Sequence, residues 1–146
     1  MLKSETGNIG IMLTSLDKEL FLAGEINMMS RQRVVFYENA TPYKNIYSFP
    51  ILSICDAYGF RGSVIATNLS TAEKLAAMPI QGEKVFYVRS LDWTKLQNKN
   101  YEQLKNIFSH PFKFIASSVE IANILNVCWD VEAEVVPELS FVEWIS

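Results

Sequence analysis

Cysteine is scarce in this 146-residue chain, which has two, Cys55 and Cys128. Both sit in apolar segments and form no C-x-x-C pair, so a disulfide framework is excluded and they read as reduced core thiols. Histidine is scarcer: His110 stands alone. One imidazole and two thiols are too few for a zinc site, so no metal is expected, and an imidazole in a turn at the edge opposite the strand-end loops makes no credible nucleophile-histidine pair. His110 precedes Pro111 in a predicted helix-to-strand turn, so it reads as a loop residue. Glycine-rich phosphate loops are missing too. Neither G-x-G-x-x-G nor G-x-x-x-x-G-K-[ST] occurs, which excludes a standard dinucleotide or P-loop site. Charge of one sign is not in excess, because 13 basic residues face 16 acidic ones for a net −3. A basic grip on nucleic acid is therefore not written in the overall balance. No apolar run reaches the about 20 residues that cross a bilayer, so no membrane partner is expected. The opening stretch MLKSETGNIGIML lacks the layout of a secretory leader, and a cytoplasmic protein is expected.

What is present is apolar substance. Hydrophobic residues make up 49% of the chain and charged residues 20%, the balance of a globular domain with a core. Strand-length apolar runs alternate with longer segments of helical period. Asn8–Thr14 is a continuous apolar run, suited to a strand buried on both faces. Lys18–Gln32 follows with Leu20, Phe21, Met28 and Met29 near helical spacing. Arg33–Tyr37 is β-branched and aromatic, and reads as the second strand. Asn45–Gly59 is a predicted helix, with Pro50 tolerated in its first turn and Gly59 supplying a left-handed stop. Ser63–Thr67 is the third strand, Thr71–Met78 a short helix, and Lys84–Val88 the fourth strand. Tyr101–Ser109 is a helix, Phe112–Ala116 the fifth strand, and Val119–Cys128 a helix capped by Ser117 or Ser118 with Ile121, Ala122, Leu125 and Cys128 inward. Val131–Val136 is the sixth strand, and Ser140–Ser146 a closing helical turn. Such alternation predicts an α/β fold: a single domain over residues 1–146, with a mostly parallel sheet of about six strands and helices on both faces.

Ligands of open parallel sheets bind beyond the carboxyl ends of the strands. Five loops follow those ends. They hold Thr14, Ser15 and Asp17; Glu38, Asn39 and Thr41; Thr67, Asn68, Ser70 and Thr71; Arg89, Ser90, Asp92 and Trp93; Ser117, Ser118 and Glu120. Hydroxyl and amide groups both donate and accept, which suits a hydroxylated ligand such as a sugar. The same residue types are also ordinary helix caps. Asp92 and Glu38 are candidate catalytic carboxylates, or plain solvated acids. Arg89 is placed to meet a phosphate or carboxylate, or to form a surface ion pair. Trp93 and Tyr43 offer faces for stacking on a sugar or base, while Trp93, Trp129 and Trp144 also suit packing.

Five stretches carry a resemblance: Arg33–Asn45 (RVVFYENATPYKN), Gly62–Leu75 (GSVIATNLSTAEKL), Glu83–Trp93 (EKVFYVRSLDW), Phe112–Trp129 (FKFIASSVEIANILNVCW) and Val131–Leu139 (VEAEVVPEL). Their order resembles one Rossmann half of the two-domain GT-B glycosyltransferases, and short glycosyltransferase-like proteins of T-even-type tailed bacteriophages. The matching residues are Phe86 to Trp93, then Ile115 to Ser118, then Val135 to Glu138. The resemblance implies a Rossmann-like fold and transfer of a sugar from a nucleotide-sugar donor, with no permanently bound cofactor. It implies DNA modification as one outlet, the acceptor being hydroxymethylcytosine in phage DNA, in the host cytoplasm. For such a transfer the loop residues supply the candidates: Asp92 or Glu38 to deprotonate or orient the acceptor hydroxyl, and Thr14, Ser15, Asn39, Thr67, Asn68, Ser70, Arg89, Trp93, Ser117 and Ser118 to contact substrate.

The chain has room for one such half, and a pair of glutamates separated by seven residues, seen in many retaining enzymes, is missing. A cleft built by a homodimer, a partner subunit, or loss of activity would each account for this. A non-catalytic binding or assembly module on the same scaffold is the alternative, with the C-terminal SFVEWIS segment as its partner surface. A flavodoxin-like nucleotide regulator ranks last, because TSLDKE after the first strand is not glycine-rich.

Overall fold

The computed structural model describes residues 8–14, 33–37, 51–91 and 101–144. Their strands are β1 (Ile9–Leu13), β2 (Arg33–Tyr37), β3 (Ile51–Ser53), β4 (Ser63–Ala66), β5 (Lys84–Val88), β6 (Lys113–Ala116) and β7 (Glu134–Val135). All pair in parallel, in the order β3-β2-β1-β4-β5-β6-β7. This is the Rossmann-like, doubly wound arrangement. The helices are α1 (Leu69–Ala77), α2 (Tyr101–Ser109), α3 (Val119–Trp129) and the short α4 (Phe141–Trp144).

The central strands carry apolar residues at nearly every position because both faces are covered. In register, Met12 meets Ala66, Ala66 meets Phe86, and Phe86 meets Phe114. That face packs with Leu69, Ala72 and Leu75 of α1, Leu104, Ile107 and Phe108 of α2, and Leu125 of α3. Ile11, Ile65, Val85 and Tyr87 point the opposite way and are equally buried. Phe141 of α4 stacks on Tyr87 there, with ring centroids 4.9 Å apart. An aromatic chain fills the first face. Phe86 lies 5.9 Å from both Phe108 and Phe112, Phe108 stacks on Trp129 at 4.9 Å, and Trp129 on Tyr101 at 5.6 Å. Each fully buried aromatic ring contributes about 1.5–3 kcal/mol of burial before entropy is charged against it.

Two expectations are corrected. The sheet has seven strands, not about six, and the added one is β3, inside the segment Asn45–Gly59 read as a helix. A short apolar run has no decisive period, and pairing of Val35 with Ile51 and Phe36 with Leu52 settles it as strand. Among the described residues of that segment, 51–59, the helical part is a 3₁₀ turn, Ile54–Ala57; Ser53 Oγ accepts from Cys55 N–H and Asp56 Oδ2 accepts from Ser53 N–H. Gly59 does supply the expected left-handed stop, at φ 72°. The second correction concerns the thiols. Cys55 and Cys128 are both exposed: Ile54 and Ala57 are the buried residues of the 3₁₀ turn that holds Cys55, and Leu125, not Cys128, centres the buried stripe of α3.

Segments 59–62 and 79–83 run together before β4 and β5 pair. Gly59 N–H donates to Pro79 O, Gln81 N–H to Phe60 O, and Gly62 N–H to Gln81 O. A Cβ on Gly82 would meet Gly62 O at 1.9 Å, and one on Gly62 would meet Asn8 O at 2.4 Å. Three backbones therefore converge where no side chain fits. His110 lies at this same amino edge, against Phe112 at 4.7 Å. Burial, and after it the Lys84 ammonium, holds the His110 imidazole below its ordinary range. Lys84 Nζ donates to Ala76 O in the last turn of α1, and burial lowers its own pKa.

Candidate functional site at the carboxyl edge

Strand order reverses between β1 and β4, since β2 and β3 lie on one side and β5 to β7 on the other. The crevice beyond the carboxyl ends of β1 and β4 is thus the ligand position of this architecture. Thr14 ends β1 there, and Thr67-Asn68 ends β4. Asn68 Nδ2 donates to Thr14 Oγ1 at 2.6 Å, closing a bridge between the two strands. Thr67 is buried, and its hydroxyl donates to Met12 O at 2.7 Å. Asn68 is also the N-cap of α1, its Oδ1 accepting from Thr71 N–H at 2.9 Å. Thr71 Oγ1 answers by accepting from the N–H groups of Thr67 and Asn68, each at 3.1 Å. Two of these hydroxyls are buried, so this network removes polar atoms that would otherwise be costly. Ser70 is half-buried in the first turn of α1.

A second group stands at the ends of β5 and β6. Arg89 follows β5 and pairs through Nε with Glu138 Oε1 at 2.6 Å. Ser117 Oγ donates to Arg89 O at 3.3 Å, and Ser117 N–H to Val88 O at 3.1 Å. Ser118 is the N-cap of α3, accepting from Ile121 N–H at 3.3 Å. Tyr87 OH donates to Val136 O at 2.6 Å, which fixes the chain after β7 against β5 and so positions Glu138.

The structure thus brings together Thr14 with Asn68, and Arg89 with Ser117. Thr67 faces inward, and Asn68 and Ser118 cap helices. Ser15, Glu38, Asn39, Asp92 and Trp93 lie outside the described residues. Glu138 belongs to the last stretch of the resemblance but is not among the expected site residues, although it follows β7 as the other candidates follow their strands. Extending the carboxyl-end rule to a sixth loop would have found it. The SFVEWIS segment does not present its rings to a partner: Phe141 and Trp144 are buried, with Lys113 Nζ 5.4 Å from the Trp144 ring centre. Among the described residues no three His, Cys, Asp or Glu side chains converge as a metal site would require. No described helix is long and apolar enough to cross a membrane. No family model, curated protein or solved structure matches the chain.

Proposed function

We propose that the crevice between β1 and β4 takes a nucleotide sugar and that the chain transfers its sugar to an acceptor hydroxyl. The carrying observation is the reversal of strand order at two polar strand ends, Thr14 and Thr67-Asn68. In this reading Thr14 and Asn68 exchange their mutual hydrogen bond for bonds to ligand hydroxyls. Arg89 exchanges Glu138 for the donor diphosphate, whose negative charge increases as the glycosidic bond breaks. Asp92, or Glu38, receives the proton of the acceptor hydroxyl. That oxygen bonds to the anomeric carbon, and the nucleoside diphosphate leaves with the old bonding pair. Hydroxymethylcytosine in phage DNA is the acceptor implied by the sequence resemblance, and a second copy or a partner subunit would complete the cleft. Thermal-shift titration with uridine- and guanosine-diphosphate sugars tests this, with and without hydroxymethylated DNA. A stabilisation of several degrees by one donor is expected, lost in Arg89→Gln; a flat response to all donors overturns it.

A second reading, a non-catalytic binding or assembly module, draws on a different observation. The described polar groups of the edge already satisfy one another, as caps and as the Arg89–Glu138 pair. Unchanged melting with every donor, together with a stable complex with another protein, would favour it.

A further inference from the structure

Charge is unevenly divided along the chain. All 13 basic residues lie at or before Lys113, leaving residues 1–113 at net +3. Residues 114–146 hold Glu120, Asp130, Glu132, Glu134, Glu138 and Glu143 and no lysine or arginine, a net −6. This acidic tract forms α3, β7 and α4, at one end of the sheet. Exposed large apolar side chains occur in the same tract. Val119 is 58% exposed, Val127 84%, Val135 38% and Leu139 91%. They are four of the seven such side chains found among the described residues. Val135 pairs with Ala116, the last residue of β6; Val119 lies just after that residue and Leu139 just after Val135. Three of the four thus lie at or just after the carboxyl ends of β6 and β7. Val127 continues the exposed side of α3 about 12 Å along its axis.

We infer that this face docks a basic amphipathic helix of another protein. Exposed apolar side chains in a tract that also exposes Glu120, Asp130, Glu132 and Glu134 match apolar anchors flanked by lysine or arginine. Strand addition is disfavoured, since β7 has two residues, one of them Glu134, and Pro137 follows closely. A second copy seated through this face would set one acidic tract against another. Nucleic acid and anionic lipid surfaces are repelled for the same reason. The surface stands independently of the glycosyl-transfer reading.

The test is fluorescence anisotropy of the full chain with a labelled 18-residue Leu/Lys amphipathic helix. Controls are the same peptide with every Leu replaced by Ser, and a Leu/Glu peptide. Binding is expected with the Leu/Lys helix alone, weakening tenfold or more in the V127S/L139S variant and again in E120K/E134K. Tyr58→Ser, a loss of exposed apolar surface in the connection from β3 to β4, should leave it unchanged. Thermal melting of each variant confirms that these surface changes leave the fold intact. Absent binding overturns the inference, as does equal binding by either control peptide or by V127S/L139S. A wild-type dimer in sedimentation that V127S/L139S dissolves also overturns it, since the face would then serve self-association.

Discussion

The hydroxyl of Tyr87 donates to the carbonyl of Val136 across 49 residues of sequence, at 2.6 Å and fully buried. The bond ties β5 to the chain just after the edge strand β7. Tyr87→Phe keeps the stack on Phe141 but strands a buried carbonyl. The expected loss is about 1–2 kcal/mol, read as a lower urea midpoint at unchanged slope. An unchanged midpoint would mean that Val136 O has found another donor.

Asn68 serves two neighbours at once, capping α1 and donating to Thr14. Asn68→Ala should destabilise by about 1–2 kcal/mol. Asn68→Asp keeps the cap acceptor but has no amide to offer Thr14. It should recover most of the melting temperature lost in the alanine variant. Failure to recover would place the main contribution in the bridge between β1 and β4 rather than in the helix cap.

The close approach at Gly82 allows no Cβ, because the obstacle is backbone and not a side chain that can turn away. Gly82→Ala should cost about 1–3 kcal/mol through forced separation of the segments before β4 and β5. Hydrogen exchange should quicken at Val64 N–H, which donates to Glu83 O at 3.0 Å. Protection as slow as in the wild type would contradict this.

His110 titrates below the ordinary 6.5 because burial, and then Lys84, oppose its charge. The unfolded chain therefore binds a proton more readily than the folded one in that range. Stability present above pH 6.5 is accordingly lost as pH falls through the folded pKa. The melting temperature of wild type should drop between about pH 7 and 5 more than that of His110→Gln. Parallel curves for the two proteins would remove His110 from the account.

Much of the sheet was legible because burial on both faces leaves uninterrupted apolar runs. Ile9–Leu13 and Lys84–Val88 announce themselves in this way, and Arg33–Tyr37 through its β-branched and aromatic residues. The helix Tyr101–Ser109 was legible through Leu104, Ile107 and Phe108 at helical spacing. Ile51–Ser53 was not, because its identity rests on hydrogen bonds to β2, distant in the chain. Cys128 was misplaced for a related reason. α3 is apolar nearly all round, so composition does not say which side faces the sheet. At the candidate site, residue type located the edge but not its use. Asn68 and Ser118 look alike as caps or as ligand contacts until their partners are known. The Arg89–Glu138 pair joins residues 49 apart that no local pattern links.

The ladder from Tyr101 through Trp129 to Phe108 places an indole between two helices. Loosening of α3 from α2 would expose that ring to water and shift its emission to the red. The molecule therefore carries its own optical gauge of that joint, readable without any added label.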